Sequence, residues 1–429
     1  MQFNYLHIIY IIIIIGTMET YHQPDAILPV TPHSEVRLSE SAARLIAQSS
    51  RLSSLLSPPL IPPIRALIES MNGYYSNLIE GQITLPNDIE GAIQGNYSTD
   101  VKRKNLQLLH IAHLSTERWM RAEMDRYPLL EPSDPDFILN LHKKFYEKLP
   151  EEMRVNFSTR GKRFEIEPGR LRDYPVTVGA HNGVAHEKLN DFMEFFSKQY
   201  RGRFTLSESG IIAAFSSHHR LTFIHPFGDG NGRVSRLYTT ACLMRCGVDS
   251  GGLWSFSRAM ARNENGIHYK RMLQSTDSQR LDDLDGRNNL SEKRLKEWAG
   301  YCLNEAIDQC VFMGELLSLD LLKTRVSGYL SFLEHSGMVE KGSASIIKRV
   351  LEKGTISRGE ASKETGFSSR YTQNITGKLL SLGILSSPSP KGDLFFAIPG
   401  FAAPYYFPKL YPMGEVPSET IPRPTRDTL

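Results

Sequence analysis

The segment His225-Pro226-Phe227-Gly228-Asp229-Gly230-Asn231-Gly232-Arg233 constrains this chain more than any other stretch. Gly228, Gly230 and Gly232 permit positive φ and let a ligand approach the backbone closely. A helical apolar pattern follows at once, from Asn231 to Cys246, and Gly247 ends it. The free N–H groups and dipole of a helix start make an anion site. Arg233 and Arg236 are three residues apart, so both project from one side of the first turn. Backbone donors plus two forked guanidinium groups form a polyphosphate cradle. Asp229 beside it suits a magnesium ion that bridges phosphate oxygens. His225, at the loop mouth, is placed to accept a proton from an incoming nucleophile. Each residue alone has an ordinary reading: a structural histidine before proline, an Asp-Gly turn, a solvated arginine stripe. Their joint occurrence over residues 225–236 is what points to phosphate chemistry.

Most of the remaining chain reads as helix. Helical periodicity runs over 37–56 and again from Leu67 to Ile79. Between them Ser57-Pro58-Pro59-Leu60-Ile61-Pro62-Pro63 predicts a break, because proline removes donors and restricts its neighbours. The second helix is expected to stop at Gly81, a good left-handed cap. Residues 100–125, 136–149, 186–199, 207–222, 291–316 and 318–335 also predict helices. Arg163 to Val178 predicts a β-hairpin, FEIE and YPVTV, turning at Pro168-Gly169.

From Ala344 the pattern changes. A helix over 344–353 ends at Gly354, Ser357 caps a short helix to Glu364, and Ser368 caps another to Leu382. Ile384 to Ile398 then reads as a hairpin turning at Ser389-Pro390-Lys391-Gly392. Three helices and a hairpin are a winged helix-turn-helix plan. Arg370, Gln373, Asn374, Lys378 and Lys391 could meet DNA, but Glu352, Glu360, Glu364 and Asp393 leave no basic stripe. DNA contact, protein docking and dimer packing all stay open. The expected division is an N-terminal helical region over 18–125, a catalytic core over 126–280, a connector over 285–336, a winged helix over 340–400 and a Pro-rich tail over 401–429.

The 429 residues suffice for two or three domains, and a formal charge of +3 neither implies nor excludes nucleic acid. Four cysteines in this length make no disulfide framework. Cys242 and Cys246 read as buried core thiols, and no Cys/His spacing resembles a zinc site. Residues 3–15, FNYLHIIYIIIII, carry an apolar run too short to span a bilayer. They also lack the basic start of a signal peptide. Residue types with AT-rich codons dominate, so residues 1–17 read as translated upstream DNA, with Met18 as the start. With no later apolar run of membrane length, the expectation is a cytoplasmic protein without a membrane partner.

The loop H-P-F-G-D-G-N-G-R-V-S-R resembles the Fic signature, H-x-F-x-[DE]-G-N-G-R-x-x-R, at every fixed position. Pro168-Gly169-Arg170-Leu171-Arg172, with Val176, Val178 and Gly179, resembles the Fic flap. Asn263 to Leu273, including Tyr269, resembles the region that closes the nucleotide pocket. The resemblance implies a mainly α fold: a Fic helical core with a small β-hairpin flap, followed here by the winged helix module. It implies transfer of AMP from ATP to a Ser, Thr or Tyr hydroxyl of a target protein, or of the chain itself, with release of pyrophosphate. By position, His225 becomes the general base and Asp229 the holder of Mg²⁺. Gly228, Gly230, Asn231 and Gly232 line the nucleotide phosphates, the last three as an anion hole. Arg233 contacts the β-phosphate, Arg236 the γ-phosphate, and Tyr269 the nucleotide, while Phe227 anchors the loop. Doc-like relatives that phosphorylate instead carry a lysine where this chain has Gly232.

Ser76-Asn77-Leu78-Ile79-Glu80-Gly81 resembles the inhibitory motif of the family, [ST]-x-x-x-E-[GN]. Ser76 and Glu80 lie one turn apart and share a helix face. The resemblance implies that Glu80 pairs with Arg236 and takes the γ-phosphate's partner. Two other functions use the same residues. Glu80 could orient a water that removes AMP from a modified protein. Alternatively, the chain could be a DNA-binding regulator with a nucleotide-sensing core, against which the intact His225 and Asp229 argue.

Overall fold

The computed structural model describes residues 21–31, 36–157, 163–179, 181–287 and 289–410. The expectations for residues 1–17 and for the tail beyond 410 lie outside the described residues. The elements, in chain order, are α1 (Val36–Ser53), α2 (Ile61–Ile79), α3 (Pro86–Ile93), α4 (Val101–Arg126) and α5 (Pro135–Tyr146). They continue with β1 (Val155–Phe157), β2 (Arg163–Glu165), β3 (Thr177–Val178), β4 (His181–Asn182), α6 (Leu189–Tyr200), α7 (Glu208–Ile224), α8 (Asn231–Arg245), α9 (Phe256–Ala261) and α10 (Ile267–Thr276). After them come α11 (Glu292–Leu316), α12 (Leu319–His335), α13 (Ser343–Lys353), β5 (Thr355–Ile356), α14 (Arg358–Thr365), α15 (Ser369–Ser381), β6 (Leu385–Ser386), β7 (Leu394–Phe396) and α16 (Ala403–Tyr406). The fold is mainly α, with small antiparallel sheets.

Side-chain caps start many of these helices. Asp100, Asp134, Ser207, Ser255, Ser291, Ser357 and Ser368 each accept a backbone N–H from the first turn that follows. α7 and α8 form the centre. Both are buried on nearly every face, so their sequences lack the one-sided pattern of a surface helix. α1, α6 and α11 pack against α7, α4 and α5 pack against α8, and α2 lies against α4 and α9. Among the described residues, no helix is long and apolar enough to cross a membrane.

Of the local features, one break holds, one helix is new and one hairpin is corrected. The break expected at the proline stretch is present: α1 ends at Ser53 and α2 does not begin until Ile61. Pro58–Leu60 forms one 3₁₀ turn, and α2 begins at Ile61 with Pro62 and Pro63 in its first turn. A first-turn N–H has no helical partner, so proline costs nothing there. α3, for which the sequence raised no expectation, is a short helix opened by Pro86. The single hairpin expected over 163–178 is two hairpins. FEIE pairs backward, β2 on β1, with Phe164 opposite Asn156, while β3 turns on β4, with Val178 opposite His181. Between them, the backbone from Glu167 to Tyr174 makes no strand and is tied through Arg172 to the loop after α7 instead.

At the C-terminal end α13, α14 and α15 pack with a three-stranded antiparallel sheet of order β5-β7-β6. Arg370, Gln373, Asn374 and Lys378 stand exposed on α15. Residues 402–410 then return to the core. Tyr406, Phe407 and Leu410 are buried, and the Tyr75 hydroxyl of α2 donates to the Leu410 carbonyl at 3.1 Å.

Candidate active site

α7 cannot continue past Ile224, because a proline follows one residue later. His225 caps it in the left-handed region, φ 52° and ψ 60°. Its imidazole is half-buried, and its pKa is pushed down to about 3, by burial first and then by His181 and Arg172. The ring is therefore neutral at physiological pH, with a nitrogen lone pair free to take a proton.

The loop that follows is held from both sides. Asn231 accepts from the Phe227 N–H at 2.9 Å and donates to the Phe227 carbonyl at 2.8 Å. Phe227 stacks on His142, with centroids 4.0 Å apart and an 8° tilt. Gly230 sits at φ 81° as the residue before α8. A Cβ there would stand 2.7 Å from the Tyr146 ring, so glycine is required both by conformation and by space. A side chain on Gly228 would overlap the Tyr174 hydroxyl. Asp229 is bound by the Tyr146 hydroxyl at 2.6 Å and lies 3.9 Å from Arg233. Burial opposes its charge, but Arg233 and the Tyr146 hydroxyl together hold the carboxyl below its usual range. It is thus an ionised carboxylate, 47% exposed, just ahead of α8.

Arg233 and Arg236 differ sharply. Arg233 packs over Phe145, its guanidinium carbon 5.2 Å from the ring centroid. Arg236 is 1% exposed and reaches across to the end of α2. Its Nε donates to Ser76 Oγ at 2.9 Å, and its Nη2 donates to the Ser76 carbonyl at 3.0 Å and to Glu80 Oε1 at 2.6 Å. Burial raises the Glu80 pKa, but Arg236, then Arg233 and Lys270, bring it below the ordinary value. α2 ends there in a Schellman turn. Gly81, at φ 77°, donates to Leu78, and Gln82 donates to Asn77. This turn leaves the Glu80 side chain aimed at the start of α8, where a side chain on Gly232 would overlap the carboxylate. Tyr269 lies beneath Arg236, 6.0 Å from the guanidinium carbon to the ring centroid. It is buried, and its hydroxyl pairs with His218 at 2.9 Å, so its ring supports the arginine from the core side.

A family model described as the Fic/DOC family matches residues 132–243. The chain carries a Fic domain. Protein adenylyltransferase Fic of Nematostella vectensis is 40% identical over 82 residues, which span 19% of each chain. Protein adenylyltransferase fic-1 of Caenorhabditis elegans is 34% identical over 82 residues, 19% of this chain and 16% of that one. The chain thus matches less than a fifth of the length of these curated relatives. A crystal structure of a Fic family protein from Desulfovibrio desulfuricans G20 superposes with a TM-score of 0.51 at 17% identity. It covers 86% of this chain and 98% of that one, and the likeness is one of fold.

Four residues of the Fic site were not singled out as site residues from sequence. Tyr146 carries Asp229, and its own hydroxyl pKa is pushed up, mainly by burial. Tyr174 covers Gly228 and stacks on Phe164 with centroids 4.1 Å apart. His181 on β4 lies 6.4 Å from His225, centroid to centroid. Its Nε2 is 2.8 Å from the Phe223 carbonyl, and its Nδ1 is 3.4 Å from Asp277. Burial pushes Asp277 up to about 6, and His219 pairs with its other oxygen at 3.0 Å. Arg172, named above only as part of the flap stretch, has its guanidinium under the catalytic backbone. The one signal in the sequence was the density of Tyr, His and Arg flanking the loop, which does not say which of them meet it.

Among the described residues, no three His, Cys, Asp or Glu side chains gather as a metal cluster. Asp229 alone offers an ionised, half-exposed carboxylate beside an anion-binding helix start. That donor set fits Mg²⁺, which is commonly held by one or two carboxylates together with substrate phosphates.

Proposed function

We propose that this protein transfers AMP from ATP to a Ser, Thr or Tyr hydroxyl of a target protein, or of itself, and that Glu80 restrains the reaction. The observation that carries the reading is one arrangement: a neutral His225 at the mouth of a loop whose far end is the bare start of α8, flanked by Asp229 and two arginines. The hydroxyl oxygen attacks the α-phosphorus, His225 takes its proton, and the bond to pyrophosphate breaks. Positioning and charge neutralisation dominate such a transfer. Asp229 would hold Mg²⁺, which supplies charge neutralisation to the departing pyrophosphate. The N–H groups of Gly230, Asn231 and Gly232 face the phosphates, and Arg233 and Arg236 take the β- and γ-phosphates. Gly232 favours AMP transfer over phosphorylation, because the phosphorylating relatives carry a lysine at this position. The Glu80–Arg236 pair supports the restraint: it occupies the cation that a γ-phosphate needs. The three helices and three-stranded sheet of residues 343–396 support reading that region as a winged helix.

The test uses ATP labelled at the α-phosphate, incubated with wild type and Glu80→Gly in the presence of cell lysate. Label should pass to protein, more from the variant. Label on neither protein nor lysate overturns AMP transfer. If the variant instead loses only the ability to release AMP from modified protein, the reaction runs in reverse.

A further inference from the structure

His225 adopts a left-handed backbone that L side chains rarely take, and such a conformation persists only where its surroundings over-determine it. Asn231 fixes Phe227, two residues on, and His225 donates its own N–H to the Leu221 carbonyl at 3.3 Å. The side chain that holds the His225 carbonyl is Arg172. Its Nε donates to the His225 carbonyl at 2.8 Å, and its backbone N–H donates to the next carbonyl, Pro226, at 3.0 Å. Its two remaining nitrogens leave in other directions. Nη1 donates to the Tyr174 carbonyl at 2.8 Å, ahead of β3, and Nη2 donates to the Val184 carbonyl at 2.6 Å, just after β4. The residue is 4% exposed and no carboxylate pairs with it among the described residues. A buried cation spent wholly on carbonyls stabilises little by charge, so its placement makes sense as a tie between segments. Space confirms how closely it is held: a Cβ on Gly183 would stand 2.8 Å from Nη2.

We propose that Arg172 is a positioning residue that locks the backbone of His225 and both limbs of the β3–β4 hairpin into one unit, so that whatever docks on the hairpin meets the imidazole at a fixed distance. The role rests on the AMP-transfer reading, with His225 as the base. Among the described residues, Arg172 makes no hydrogen bond to Asp229, Arg233, Arg236 or α8. Its loss therefore displaces the base while leaving the ATP site intact. Lysine cannot replace it, because a single ammonium does not span carbonyls on three sides as a guanidinium fork does.

Arg172→Met and Arg172→Lys, each in the Glu80→Gly background, test this. Both should lower kcat about 100-fold, the scale of a misplacement near 1 Å. KM for ATP should stay within about threefold, and thermal unfolding should remain a single transition. Gly183→Ala keeps the arginine and its charge but crowds the fork, and should show the same split more weakly; it decides the matter if the Arg172 variants fail to fold. A kcat near that of the parent in Arg172→Met, or full rescue by lysine, overturns the proposal. So does a loss of ATP affinity in step with kcat. Amide hydrogen exchange gives an arm independent of the reaction. Residues 181–184 and 225–231 should be protected together in the parent and exchange faster together in Arg172→Met. That coupling holds or fails whether or not AMP is transferred, so failure of the transfer reading alone leaves the positioning test intact.

Discussion

α2 and α7 both end by turning left-handed, α2 at Gly81 with φ 77° and α7 at His225 with φ 52°. Gly81 does so without strain. It has no side chain, a Cβ there would meet nothing within 4 Å, and the Schellman bonds to Leu78 and Asn77 suffice. His225 has a side chain to accommodate and a proline behind it, and it is held by Arg172 and the Asn231-clamped loop. The difference separates two jobs. A helix end closed by glycine needs no tertiary partner, which suits the proposed release of Glu80. A helix end closed by histidine has to be braced, which suits the proposed role of His225 as a fixed base. The predictions below are ways to break or sharpen that contrast.

The largest effect belongs to the braced end. His225→Ala should lower AMP transfer by about 1,000-fold, within the usual range for a general base. ATP affinity, measured by calorimetry, should change only a few-fold, since the imidazole acts on the nucleophile. Wholesale loss of ATP binding, or near-normal transfer, would show that the left-handed histidine is merely a helix cap.

At the releasable end, Glu80→Gly should raise transfer roughly ten- to a hundredfold. A charge-assisted pair contributes on the order of 1.5–3 kcal/mol, and each 1.4 kcal/mol is about tenfold. The gain must run through the freed guanidinium, so Arg236→Ala in the same background should return transfer to wild-type levels or below. An unchanged rate in Glu80→Gly would leave residues 76–81 as an ordinary helix end.

Gly81→Ala probes the turn itself. The added methyl meets no atom, so the cost is the left-handed backbone alone, about 1–2 kcal/mol. Fraying of the last turn of α2 should loosen Glu80 and raise transfer by about threefold, with a small drop in melting temperature. Lower activity with unchanged stability would mean that the turn does not govern Glu80.

The smallest change is expected from pH. With His225 held down to about 3, its imidazole stays neutral throughout the neutral range. Its ring-proton NMR shift should stay flat between about pH 5.5 and 8, where an unperturbed histidine titrates. Titration near the ordinary value would show the base to be less enclosed than its surroundings imply. Asp277, pushed up to about 6, titrates separately, and Asp277→Asn should leave the His225 signal flat.

The mainly helical fold and the Fic domain were legible because their signals are local. Caps such as Ser207, Ser291 and Ser357 act within one turn, and apolar periodicity marks buried faces. The catalytic loop is a continuous run, so chain connectivity alone brings His225, Asp229 and Arg233 together. The hairpins were misread for a matching reason. FEIE has strand character toward either neighbour; it pairs backward with β1, and the backbone after it bonds through Arg172 to Pro226 and His225 rather than joining a strand. The prolines before α2 mark the expected break, and Pro62 and Pro63 also start the helix that follows.

By itself the sequence determined the chemistry available at one helix start: the glycines, the carboxylate, the two arginines and the histidine, in fixed order. Tertiary structure alone decided which distant groups complete it. Tyr146 and Asp229 are 83 residues apart and Arg172 and His225 are 53, while Glu80 and Arg236, 156 apart, were paired in advance only through the resemblance of residues 76–81 to an inhibitory motif. Such pairs leave no periodic trace in a sequence, because they arise when separate helices pack and a buried polar group must find its partner wherever the fold has put one.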